Sequence, residues 1–158
     1  STHERRIVTG IAGHKGFTSI NITKSMMNSE LGFGRRVLSV LEYAGVRFEH
    51  IPSGIDTLSV FVADNEIVGK MEKIISRIRE AVNPDTIEIH SGMSLIATVG
   101  QGMSDRTGTA ARLFTALAKS GVNIRMIDQG SSEINIIVGV ESSDYERAIN
   151  AIYEEFFN

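Results

Sequence analysis

The chain has 158 residues, 42% of them hydrophobic and 22% charged, with a net charge of −3 and no cysteine. That composition is globular. The acidic balance, with no basic run longer than two residues, argues against a general nucleic-acid binder, and the missing cysteine excludes disulfides, thiolate catalysis and cysteine-based metal sites while permitting a reducing compartment.

Taken in chain order, Glu4–Ile11 reads as a short strand closed by Gly10 and Gly13, and Phe17–Ser25 as a second strand with Ile20 and Ile22 on one face. Met26–Gly32 is a loop. A helix follows from Phe33 to Ala44, because Phe33, Val37, Val40, Leu41 and Ala44 recur at helical spacing. Gly45 ends it in the left-handed position after the helix. Gly45–Val62 reads as a strand, turn and strand. Gly69–Val82 is a helix with Met71, Ile74, Ile75, Ile78 and Val82 on one face, stopped by Asn83-Pro84. Thr86–His90 is a strand. Ser94–Gly100 is another, then a loop at Gln101–Thr107 and a helix at Thr109–Lys119. Gly121–Val140 repeats the strand, turn and strand, with Gln129–Glu133 as the break. Ser143-Asp144-Tyr145-Glu146 has the form of a capping box opening a last helix, striped by Tyr145, Ala148, Ile149, Ile152 and Phe156. No apolar run approaches the roughly 18 residues of a membrane span, and no signal peptide is visible. The first residue is Ser, which predicts a piece of something longer.

The two hairpins are copies, offset by 76 residues without a gap: Gly45, Val46, Ile51, Gly54 and Val62 match Gly121, Val122, Ile127, Gly130 and Val138 identically. The helices align too, Val37 with Leu113 and Leu41 with Leu117, and Thr98 stands where Ile22 was. The first copy has the order strand, helix, strand, strand, helix, strand, and the second follows it as far as its second helix. The chain is therefore predicted to be α+β, with two ferredoxin-like βαββαβ modules, antiparallel sheets and helices on one sheet face. The second copy lacks a final strand, and the leader is one strand too many. The leader is thus expected to complete the second sheet, giving one module over residues 14–91, inserted into a second made of residues 4–13 plus 92–158.

Gly32-Phe33-Gly34 and Gly100-Gln101-Gly102 precede helices, but Val37 and Asp105 stand where a dinucleotide fingerprint needs its third glycine. Tight turns explain them, and the N–H groups at such a helix start still suit a carboxylate. His3, His14, His50 and His90 have no metal-ligand spacing. Phe17, Phe48 and Phe61 are too sparse for an RNA-stacking surface. The remaining polar chemistry lies in Met26–Gly34 and Phe48–Asp56. Glu49 and Asp56 offer carboxylates for an ammonium group, and the N–H groups near Gly32–Gly34 could take a carboxylate. Together these describe an amino-acid zwitterion site. Solvated loop charges are the alternative reading.

The run Asn-Ile-Arg-Met-Ile-x-Gln-Gly-Ser-Ser-Glu-Ile-Asn-Ile at 123–136 and Arg-x-Gly-x-Ala-Ala-Arg-Leu-Phe at 106–114 resemble the last regulatory module of aspartokinases. Asn-Ile-Thr-Lys-Ser through Ile-Pro-Ser-Gly-Ile-Asp-Thr-Leu-Ser-Val at 21–60 is similar to the first regulatory module of the monofunctional, lysine-responsive members. The resemblance implies tandem ACT domains, the first inserted into the second, which sense an amino acid and impose feedback inhibition on a cytoplasmic kinase. That kinase phosphorylates the aspartate β-carboxylate and would use ATP and Mg. Its Lys-Phe-Gly-Gly-type motif is absent here, so no catalytic residue, cofactor or metal is expected in this chain. The implied partners are lysine or threonine, a second copy paired through the ACT modules, and the parent's kinase domain, with neither nucleic acid nor membrane. By position, the implied effector contacts are Met27, Glu30, Gly32, Phe33 and Gly34, faced by Phe48, Glu49, Ser53, Gly54, Ile55 and Asp56. Asn123, Ile124 and Gln129 are implied to serve pairing or a second site. A dimerisation module without a small ligand is the alternative.

Overall fold

The computed structural model describes residues 7–100, 106–129 and 135–158. Its elements are β1 (Val8–Thr23), α1 (Phe33–Tyr43), β2 (Thr57–Ala63), α2 (Asp64–Ile67), α3 (Met71–Val82), β3 (Thr86–Gly100), α4 (Arg106–Lys119), β4 (Ile124–Gln129), β5 (Asn135–Glu141) and α5 (Tyr145–Phe157). Single 3-10 turns lie at Met27–Ser29 and Ser142–Asp144. The fold is α+β, and the strands hydrogen-bond in the order β2-β1-β3-β5-β4.

Two places where the sequence suggests a break carry an unbroken strand. The two leading segments fuse into β1, of 16 residues, and Thr86–His90 fuses with Ser94–Gly100 into β3, of 15. Gly16 (φ +85°) and Gly92 (φ +71°) carry the chain through a backbone conformation that other residues seldom adopt. They are equivalent positions of the repeat and mark where the chain divides. One compact unit is Gly16–Ser91, and the other comprises the described residues on either side of it.

In the unit Gly16–Ser91, β1 pairs antiparallel with β2, Asn21 opposite Ser59. Ile20, Ile22, Val60 and Val62 form one face and pack with Val37, Leu41, Ile74 and Ile78 of α1 and α3, all eight almost fully buried. Each such aliphatic side chain stabilises the fold by about 1.5–3 kcal/mol. The apolar stripes therefore meet the sheet as their spacing predicts. On the opposite face Ser59 Oγ donates to Asn21 Oδ1 (2.7 Å) and Asn21 Nδ2 to Ser19 Oγ (3.0 Å). The segment predicted as this unit's second strand is not a regular strand. It makes only isolated bridges to β2, His50 with Phe61 and Ser53 with Leu58. Two residues share one partner: Glu49 N donates to Phe61 O (2.8 Å) while Phe61 N donates to His50 O (2.9 Å). That is a bulge. Pro52 then removes a ladder donor, although its carbonyl still accepts from Ser59 N (3.0 Å).

In the other unit, the beginning of β1 lies beside β3, with Thr9 Oγ1 donating to Val99 O (3.2 Å). β3 pairs antiparallel with β5, and β5 with β4. Ile96, Ile136, Val138 and Val140 pack with Leu113 and Leu117 of α4 and Ala148 and Ile152 of α5. Gly139 makes room for a close neighbour, since a β-carbon there would sit 3.0 Å from Met126 Cβ. The register slips beside it, between Ile124 and Met126. The predicted capping box does not form. A 3-10 turn precedes α5, no side chain caps the helix, and Asp144 instead pairs with Arg147. The loop 101–105 and residues 130–134 lie outside the described residues. No helix among those described is long and apolar enough to cross a membrane.

Candidate functional site

The strand-to-helix loop of the unit Gly16–Ser91 is built by charge and by two backbone excursions. Leaving β1, the chain passes Lys24 and Ser25, then Met26 at φ +60°, a left-handed value uncommon outside glycine. Gly32 (φ +73°) precedes α1 in the same region. Between them the 3-10 turn Met27–Ser29 directs the Met27 side chain inward.

This loop is tied to the hairpin tip. Asp56 Oδ1 accepts from Met27 N (3.3 Å), and Asp56 O accepts from Lys24 N (3.1 Å). The tip is closed by Gly54 N donating to Thr57 O (2.9 Å), so Ile55 and Asp56 form its two-residue apex. A β-carbon at Gly54 would lie 2.6 Å from Thr57 Oγ1, which keeps that position small. The two stretches singled out in the sequence are therefore neighbours.

Lys24 organises the charges. Its Nζ lies 2.8 Å from Glu30 Oε2, donates to the Val82 carbonyl at the end of α3, and stands 5.9 Å from the centre of the Phe33 ring. Arg36 takes the other oxygen of Glu30 at 2.7 Å. Hydrogen bonds from Lys24 and then Arg36 hold the Glu30 carboxyl below its usual pKa of 4.5. On the far side of the loop, Asp85 Oδ2 accepts from Ser25 N (2.7 Å).

The candidate residues thus have different roles. Met27 and Phe33 are core residues, 5% and 4% exposed. Glu30 is engaged internally. Gly32 and Gly34 leave first-turn N–H groups ahead of the first helical bond, Arg36 N to Gly32 O (3.0 Å). Ser53, Gly54, Ile55 and Asp56 are exposed at the apex, and Phe48 and Glu49 are exposed at the other end of the hairpin. Glu49 faces Phe61, five residues along the chain from Asp56, so those two ends are about 16 Å apart at about 3.3 Å per extended residue. Glu49 and Asp56 of one chain do not converge on one ammonium group, which corrects the simplest form of the zwitterion expectation. Beside Glu49, Arg47 pairs with Glu66 of α2 at 2.9 Å, a helix that the periodicity does not reveal. That bond holds the Glu66 carboxyl low.

In the other unit, Asn123 is exposed just before β4, Ile124 packs at the edge of the core, and Gln129 is exposed at the end of β4. Phe17 and Phe61 are buried, which removes them from any base-stacking surface. No group of three or more potential metal ligands occurs among the described residues.

The ACT domain pattern matches residues 96–156. Aspartokinase 3 of Bacillus subtilis is 42% identical over 151 residues, covering 95% of this chain and 33% of that protein. The crystal structure of an aspartate kinase from Clostridium acetobutylicum superposes with a TM-score of 0.91 at 56% identity, covering 98% of this chain and 36% of that one. The regulatory subunit of aspartate kinase from Thermus thermophilus shares the fold, with a TM-score of 0.81 at 21% identity, covering 96% of this chain and 99% of that one. This chain spans about a third of the length of the Bacillus and Clostridium proteins. With the ACT pattern on one unit and aspartokinases matching along nearly all of the sequence, the chain belongs to the ACT-domain family, in the branch carried by aspartokinases.

Proposed function

We propose that this chain is an amino-acid-sensing regulatory region of an aspartokinase. Lysine is its primary effector and threonine the second candidate. The parent enzyme would transfer phosphate from ATP to the aspartate β-carboxylate, with ATP and Mg held in its kinase domain. This region lowers that activity when the end product accumulates.

The observation that carries this reading is the bonded pair of loops. Asp56 joins the hairpin apex to the segment that leads into α1, whose first-turn N–H groups suit an effector carboxylate. The separation of Glu49 from Asp56 adds a geometric condition. A site using both would draw one from each of two copies, which favours a homodimer paired through the ACT modules. Effector binding would then bias one arrangement of the pair over another. A coupling of about 1–3 kcal/mol shifts populations by roughly 5–150-fold.

Titration calorimetry and thermal melting with lysine and with threonine test this. Lysine is expected to bind and raise the melting temperature, and Glu49→Ala to weaken that response. No heat and no thermal shift at millimolar concentrations of both would refute the sensing role. A second reading is a dimerisation module without a small ligand. It is favoured by one fact: Glu30 and one oxygen of Asp56 already have internal partners. A stable dimer that ignores all amino acids would establish it.

A further inference from the structure

We propose that the groove between α1 and α3 of the unit Gly16–Ser91, which adjoins the strand-to-helix loop through the Arg36–Glu30 pair, is a second ligand site that takes a nucleoside phosphate. The groove is shallow and open, with a volume of about 350 Å³, at the low end of small-molecule sites. Val40 and Ala81 give its lining an apolar part, beside Ser39. Arg35, Arg36 and Arg77 line it, and among the described residues no carboxylate does.

Three guanidinium groups on a chain of net charge −3 make this a local reversal of sign. Arg36 is half-committed, with one nitrogen on Glu30, and its Nε is buried without an acceptor. Among the described residues, Arg35 and Arg77 have no ion-pair partner. Guanidinium groups are planar donors suited to phosphate oxygens.

Two of the three charges, Arg35 and Arg36, are separated from the aromatic ring along the groove. Arg35 and Arg36 lie near the start of α1, and Tyr43 is its last residue, 89% exposed. Eight residues of helix span about 12 Å. The helices run antiparallel, because Lys24 Nζ reaches both Glu30, just ahead of α1, and the carbonyl of Val82, which ends α3. Ala81 therefore lies toward the Arg36 end and Arg77 toward Tyr43. A ligand filling this shape has an anionic end on Arg35 and Arg36, an apolar middle, and a flat ring between Tyr43 and Arg77. A nucleoside diphosphate meets all three conditions. Pyrophosphate lacks the ring and adenosine lacks the charge.

The test is calorimetric titration of the full chain with ADP, pyrophosphate and adenosine. Saturable ADP binding is expected, at least tenfold tighter than for either fragment. Arg35→Ala, Arg77→Ala and Tyr43→Ala should each weaken it about tenfold, while Arg79→Ala, which removes an exposed charge outside the groove, should not. Unchanged melting temperatures in the variants keep loss of binding distinct from loss of fold. Three results would overturn the proposal: no saturable ADP binding at millimolar concentration, pyrophosphate binding as tightly as ADP, or equal weakening by Arg79→Ala. The lysine response is read separately, so failure of one site leaves the other standing.

Discussion

Replacing Thr98 by valine should stabilise this protein. Thr98 lies on β3 opposite Ile136, on the face that packs against α4 and α5, and is 0% exposed. Its hydroxyl oxygen is buried without a hydrogen-bond partner among the described residues. The neighbouring core is Ile96, Leu113, Leu117, Ile136 and Val138, whose side chains offer no acceptor for the proton. An unmet buried hydroxyl costs about 1–3 kcal/mol. Valine has nearly the same shape and no hydroxyl. The substitution should therefore recover most of that cost, raising the melting temperature by roughly 2–12 °C at about 2–4 °C per kcal/mol for a chain of this size. The repeat supplies an internal control. Ile22 holds the equivalent place in the unit Gly16–Ser91, also at 0% exposure. Ile22→Thr introduces the same defect and should destabilise by a similar or larger amount. Urea denaturation and thermal melting of both variants measure this. A neutral or destabilising Thr98→Val would show that the hydroxyl is satisfied and that the reasoning fails.

Other substitutions test the remaining elements. A β-carbon at Gly13 would lie 2.8 Å from two ring carbons of Tyr145 and closer still to its hydroxyl oxygen, so Gly13→Ala should destabilise by about 1–3 kcal/mol through overpacking; adding Tyr145→Ala should relieve that clash, and additive losses in the double-mutant cycle would refute the contact. Glu30→Gln should lower the melting temperature at pH 7. Because the folded-state pKa of Glu30 is depressed, its stabilising contribution is present above about pH 4.5 and is lost as pH falls through the lower native value, so wild type and variant should converge in acid; a gap that persists at pH 2 would count against the ion pairs. Asp56→Ala removes one of the two acceptors of Met27 N, leaving the Lys24 carbonyl at 3.1 Å, and should speed amide exchange at Met27 modestly while leaving Ile74 and Ile78 protected.

The helices and core were legible because burial imposes a period. Val37, Leu41, Ile74 and Ile78 lie where the stripes predict, and the offset of 76 residues pairs β1 with β3. What failed was local punctuation. Gly10 and Gly13 read as closing the first strand, yet β1 runs through both, and Gly16 and Gly92 at positive φ let each long strand continue. Ser143 and Glu146 fit a capping pattern, but Asp144 is held by Arg147 and the 3-10 turn sets the entry to α5. The second strand of the first copy aligns with β4, but Pro52 and the Glu49–His50 bulge break its ladder. At the candidate site, the sequence singles out two loops but not the bonds within and between them. Nothing in the spacing of Lys24, Glu30 and Arg36 reveals that one carboxylate binds both cations, or that Met27 and Phe33 turn inward.

The bulge and the proline have a consequence for how the chain behaves in a crowded solution. The segment around His50 is the outer border of β2, where an uninterrupted row of N–H and C=O groups would invite a foreign strand. Here Pro52 offers no donor, and the paired Glu49 and His50 twist the backbone out of register. The same irregularity that leaves Phe48 and Glu49 exposed therefore makes this border a poor seed for fibrils. Restoring a regular ladder there, for example by Pro52→Val, would trade colloidal safety for a longer strand.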